Sequence, residues 1–150
     1  MNIRKVITFD VLIQFLIPTS VHGGELKAPC RLQIGIAHIS TNLFENSRIR
    51  AVKVNASSIC NVPQSNVTLT VEIWKTGVFG NHFVAKRKVK SLGTTLLNSR
   101  VDHFKTFRVC KNDTLTSYYG VAYSKAFIAG KWQYAREVLS TKIIPLECGT

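Results

Sequence analysis

The chain has 150 residues, with 20 Lys and Arg against 8 Asp and Glu, a formal charge of +12 and 45% hydrophobic residues. A domain of this size buries roughly two-thirds of its unfolded surface, so it can fold around an apolar core without depending on staples. Its four cysteines, at 30, 60, 110 and 148, are too widely spaced for the close C-x2-C pairs of common zinc sites, which argues against bound metal and for disulfides.

Arg4 and Lys5 precede a mostly apolar run at 6–17, and 18–24 is a small-residue, turn-prone exit. This is the three-part grammar of a signal peptide, although Asp10 and Gln14 interrupt the apolar run. The run is too short to span a bilayer, and no later stretch is long and apolar enough to do so. The expected organisation is a leader at 1–24 and a single domain at 25–150. Loss of Arg4, Lys5 and Asp10 lowers the formal charge by one, to +11.

Past the leader the chain reads as strands. Residues 31–40 alternate Leu32, Ile34 and Ile36 with Arg31, Gln33 and Gly35, and 49–56 is rich in β-branched and alternating residues, ending in a turn-forming stretch at 55–58. The clearest segment is 66–75, with Val67, Leu69, Val71 and Ile73 on one face and Thr68, Thr70, Glu72 and Trp74 on the other. Such alternation marks a half-buried antiparallel strand. Gly77-Val-Phe-Gly80 reads as a turn, and strands are expected at 83–90, 104–111, 117–129 and 131–144. Gly93, Asn98 and the Asn112-Asp113 pair supply breaks between them. Within the last segment, Trp132, Ala135, Val138 and Leu139 would also form a helical stripe. Seven candidate strands predict an all-β, Ig-like antiparallel β-sandwich, stapled by disulfides.

Four cysteines allow three connectivities. Sequential pairing, Cys30 with Cys60 and Cys110 with Cys148, is the expected one because each bond ties near neighbours in the chain. Cys60 with Cys110 is the rival.

Cys60, the strand Val67-Thr-Leu-Thr-Val71, Cys110, Tyr118-Tyr-Gly-Val-Ala-Tyr123 and the closing Glu147-Cys-Gly149 together resemble small secreted Ig-like sandwich proteins of actinobacteria. That resemblance, over roughly 48–149, implies a secreted β-sandwich and supplies no catalytic residues. The Cys60, Trp74, Cys110 spacing is also similar to immunoglobulin domains, where a core Trp packs on an inter-sheet disulfide. Here alternation puts Trp74 opposite the apolar face, and Arg108 stands where a tyrosine corner would need Tyr.

The basic charge is clustered. Lys86, Arg87, Lys88, Lys90, Arg100, Lys105, Arg108 and Lys111, offset by Asp102, place a formal +7 within 84–111. A one-signed patch attracts polyanions. Lys86, Lys88 and Lys90 share a strand face, and lysines of this kind also protect a sheet edge from aggregation. Phe104 and Phe107 alternate to opposite faces, with core packing expected for at least one of them. Tyr118, Tyr119, Tyr123, Trp132 and Tyr134 form either core and rim or an exposed stacking set.

A ribonuclease-like reading would recruit His38 and His103 as acid and base with Lys105 on phosphate, but nothing in the spacing requires it. The histidines read as surface or strand-end residues. Acidic residues are scattered, and no G-x-S-x-G or H-E-x-x-H motif occurs. Asn55, Asn66 and Asn112 begin N-x-S/T sequons, which are glycosylation acceptors in a eukaryotic secreted chain. The expectation is a secreted, non-catalytic binding domain without cofactor or metal. Its partner would be an anionic polymer, envelope or protein surface. A cationic toxin or antimicrobial effector and a small secreted hydrolase are the alternatives.

Overall fold

The computed structural model describes residues 29–150 apart from Leu97, so the leader expected at 1–24 lies outside the described residues. Strands β1 (Cys30–Ile34) and β2 (His38–Ile39) precede a short helix, α1 (Thr41–Ser47). Then follow β3 (Ala51–Cys60), β4 (Gln64–Gly77), β5 (Gly80–Thr94), β6 (Ser99–Val109), β7 (Asn112–Ile128), β8 (Lys131–Leu139) and β9 (Ile144–Gly149). All strand pairs are antiparallel.

In the first sheet β3 is central, with β1 and β2 along one side and β6 along the other. The second sheet runs β5-β4-β7-β8, with β9 beside the first half of β7. The chain changes sheet at β3–β4, β5–β6 and β6–β7, which stacks the two sheets as a β-sandwich. The predicted alternation decides what lies between them. Val52, Val54 and Ala56 of β3 face Leu69, Val71 and Ile73 of β4 and Tyr118 and Ala122 of β7, all buried. Gly120 marks the closest approach of the sheets: a Cβ there would sit 2.5 Å from Val54 Cγ1 and 2.9 Å from Ile34 Cδ1.

Both disulfides form in the sequential pairing. Cys30 and Cys60 are direct partners in the β1–β3 ladder, with Cα atoms 4.0 Å apart. Cys110–Cys148 ties the β6–β7 connection to β9. The immunoglobulin-type Cys60–Cys110 bond is therefore not made.

Several expected boundaries are corrected. The single strand expected at 31–40 is two, because the chain leaves the ladder after Ile34 and then turns into α1. Ser40 caps that helix, its Oγ accepting from the Leu43 N–H at 3.4 Å, and Arg48 ends it at φ 56°. The helix buries no side chain, so it leaves no apolar period to read. The turn expected at 55–58 is instead continuous β3, paired with β1 and β6, and the bulge opposite Asn55 puts its extra residue on β6, between His103 and Thr106. β7 begins at Asn112, so the break falls two residues earlier, at Cys110 and Lys111. Residues 132–139 are strand, pairing with β7, and the segment expected to run to 144 divides into β8 and β9.

Candidate functional site

The outer face of the second sheet gathers cations and aromatics from three strands. In the ladder Lys86, Lys88 and Lys90 of β5 lie opposite Glu72, Thr70 and Thr68 of β4. Thr70 and Thr68 in turn lie opposite Tyr123 and Lys125 of β7. Lys125 pairs with Tyr134, and Phe127 with Trp132, on β8. Directly opposed residues point to the same side of a sheet, so Lys88, Lys90, Lys125, Tyr123, Trp132 and Tyr134 share one surface. Two adjoining grooves run across it. One, of about 530 Å³, is lined by Lys88, Lys90, Lys125 and Trp132. The other, of about 310 Å³, is lined by Lys86, Lys88, Lys125, Tyr123 and Tyr134.

The charges on this face differ in how far they are neutralised. Glu72 accepts from Lys86 Nζ at 2.8 Å, Trp74 Nε1 at 2.8 Å and the Tyr123 hydroxyl at 3.0 Å. Partial burial opposes its ionisation, but the hydrogen bonds from Lys86, Trp74 and Tyr123 outweigh that and hold its pKa below the usual 4.5. The same contact with Glu72, aided by Tyr123, raises the pKa of Lys86. Lys86 is thus balanced locally. Among the described residues no acid pairs with Lys88, Lys90 or Lys125. Lys125 Nζ lies 5.2 Å from the Trp132 ring centroid, a cation–π contact that keeps ammonium and indole together. Trp132 is 48% exposed and Tyr134 72%.

The eight basic residues singled out in sequence do not form one surface. Arg87 alternates with the lysines and is exposed on the other side of β5, opposite Val71. Arg100 is paired with Asp102 at 2.7 Å and also donates to Ser57 Oγ at 3.1 Å. Lys105 and Arg108 belong to β6 of the other sheet, and Lys111 to the β6–β7 connection, where its N–H donates to the Gly149 carbonyl at 2.7 Å. Lys125, Trp132 and Tyr134 complete the lysine face. The alternation of β7 was a signal for Lys125, but its alignment with Lys90 through Thr68 depends on the ladder register.

Phe104 and Phe107 are both partly exposed, contrary to the expectation that one enters the core, because the β3–β6 bulge disturbs alternation there. Of the aromatics, Tyr118 is buried, with its hydroxyl donating to the Cys148 carbonyl, and Tyr119, Tyr123, Trp132 and Tyr134 lie on the outer face. Burial and the nearby Glu137 carboxylate raise the pKa of Tyr119.

His38 and His103 are not brought together. His38 lies opposite Lys53 and His103 opposite Ala56, positions that face opposite sides of the first sheet. His103 is only 2% exposed, which corrects its reading as a surface or strand-end residue. Its Nδ1 accepts from the Lys105 N–H at 3.2 Å, and Nε2 lies 3.3 Å from Thr106 Oγ1. Burial lowers its pKa below 6.5 and the charge of Lys105 adds to this, while a hydrogen bond to the Arg87 carbonyl opposes it.

Asn55 lies inside β3, half-buried, with its Oδ1 buried and unpartnered. Asn66 sits near the start of β4 and Asn112 at the first residue of β7, both exposed. Among the described residues no three His, Cys, Asp or Glu side chains gather as a metal site, and no helix is long and apolar enough to cross a membrane. Comparison with protein-family models, curated proteins and solved structures finds no match.

Proposed function

We propose that this protein is a secreted, non-catalytic binding domain that engages an anionic extracellular or cell-envelope surface through the outer face of the second sheet. One observation carries the reading: Lys88, Lys90 and Lys125 converge there without acidic partners among the described residues. Edge protection accounts for Lys88 and Lys90, since β5 ends the sheet, but not for Lys125. That residue belongs to β7, which is covered on both sides by β4 and β8. Trp132 and Tyr134 add flat, partly apolar surface beside the charge, suited to stacking on sugar rings or covering a partner. The two disulfides suit an oxidising compartment, and secretion is part of this proposal.

Co-sedimentation with cell-envelope fragments across a salt series tests it. The disulfide-intact protein is expected to bind at low salt and to release steeply as salt rises, because each contact to a fixed charge is screened. The Lys88→Glu, Lys90→Glu, Lys125→Glu variant should lose at least about tenfold in affinity and most of the salt dependence. Unchanged binding by that variant would overturn the proposal.

A further inference from the structure

The β4–β5 hairpin ends in Gly77-Val-Phe-Gly80, with Gly77 and Gly80 paired across a two-residue turn. Val78 is 94% exposed and Phe79 97%, so two apolar side chains stand at a convex apex with almost no cover. Behind them, on the outer face, Phe83 of β5, Trp74 of β4 and Tyr119 of β7 form one cross-strand row. Trp74 and Phe83 meet edge to face with centroids 5.6 Å apart. Between the row and the apex, residues 75–82 carry Lys75 and His82 and no acid. Lys75 Nζ donates to the main-chain oxygen of Thr150 at 2.5 Å, and Glu72 beyond the row is balanced by Lys86.

We infer that this hairpin tip is a membrane-docking element that inserts Val78 and Phe79 into the outer layer of a bilayer carrying anionic headgroups. A flat protein partner would need far more buried area than two side chains at a projecting apex offer, since stable interfaces bury on the order of 1,200 Å² or more. A bilayer surface deforms around such an apex. The aromatic row lies about 13 Å back along the strands, four residues at about 3.3 Å each. With the apex immersed by about 5–10 Å, the row stands among the headgroups, where amphipathic rings are favoured. The chain's formal charge of +12, with no acid in 75–82, complements anionic headgroups. Two apolar side chains give weak, reversible attachment alone, so the element requires the electrostatic contribution as a second signal. The inference stands on the hairpin tip, and the lysine patch lies farther along β5 on the same outer face.

The test uses disulfide-intact full-length protein and vesicles of phosphatidylcholine with and without phosphatidylglycerol. Wild type is expected to sediment with the mixed vesicles and only weakly with phosphatidylcholine alone. Val78→Ser with Phe79→Ser should reduce partitioning at least about tenfold, and Val78→Leu with Phe79→Leu should retain it. Both sites are exposed turn positions, and an unchanged thermal midpoint verifies folding. In a Trp132→Phe background, lipids brominated on the acyl chain near the headgroup should quench Trp74 fluorescence. Binding to soluble dextran sulfate separates the two proposals: the tip variants should bind it as wild type does, and the Lys88, Lys90, Lys125 variant should not. Equal vesicle binding by the serine variant and wild type, or no vesicle binding by wild type, overturns the inference even where dextran sulfate binding persists. Self-association that disappears in the serine variant, without vesicle binding, overturns it in favour of a second copy of the chain.

Discussion

His103 enters the core as a polar ring whose Nδ1 accepts from the backbone N–H of Lys105, which assigns the ring proton to Nε2 beside Thr106. Protonation would place a charge in the sandwich and remove that acceptor. Because burial lowers its folded pKa below 6.5, the unfolded chain binds a proton in that range before the folded chain does. Stability therefore falls as pH drops from about 6.5 toward the folded value, by up to about 1.4 kcal/mol per pH unit. The depressed pKa values of Glu72 and Asp102 act lower, their stabilisation being lost only as pH falls below 4.5 and 3.8 respectively. Urea midpoints measured between about pH 7 and pH 5 should fall in wild type. His103→Gln should show a shallower dependence, whatever its stability at the upper pH.

At the scale of elements, hairpin geometry settles details that propensity leaves open. The β7–β8 hairpin turns through Ala129 at φ 50° and Gly130 at φ 77°, between the paired Ile128 and Lys131. Two left-handed residues in a two-residue loop make a type I′ turn, which favours Asn-Gly. Ala129 is exposed and carries the cost of a Cβ in that conformation. Ala129→Asn is expected to stabilise the protein by about 0.5–1 kcal/mol, read as a higher denaturant midpoint with unchanged slope. The same turn explains why 132–139 is strand although its side chains also fit a helical stripe. Once the chain reverses at 129–130, β8 finds the open side of β7, and ladder hydrogen bonds decide between two readings that side-chain period leaves equal.

For the molecule as a whole, the two disulfides hold different kinds of neighbour. Cys30–Cys60 joins residues already opposed in a ladder, whereas Cys110–Cys148 fastens the crossing between sheets to the last strand. The latter closes a sequence separation of 38 residues, so Cys110→Ala with Cys148→Ala should cost about 3–4 kcal/mol, measured by chemical denaturation under non-reducing conditions. The core formed by Leu69, Val71, Ile73, Val52 and Val54 is expected to keep the variant folded at room temperature. The molecule can lose a staple because most of the core side chains between the two sheets are aliphatic residues of β3, β4 and β7, to which Cys148 and Cys110 only add.

Strand character and the inward set Val67, Leu69, Val71 and Ile73 were determined by sequence alone, because a period of two is a local property of covalent geometry. The outward direction of Lys86, Lys88 and Lys90 follows from the same period. Tertiary structure decided which strands lie beside one another. It placed Lys125 in line with Lys90, sent Arg100, Lys105 and Arg108 to the other sheet, and put His38 and His103 on opposite faces. Helix α1 was hidden for a related reason: it is held by caps and backbone contacts without burying an apolar face. Register and sheet order depend on residues distant in the chain, and alternation within one strand carries no record of its neighbours.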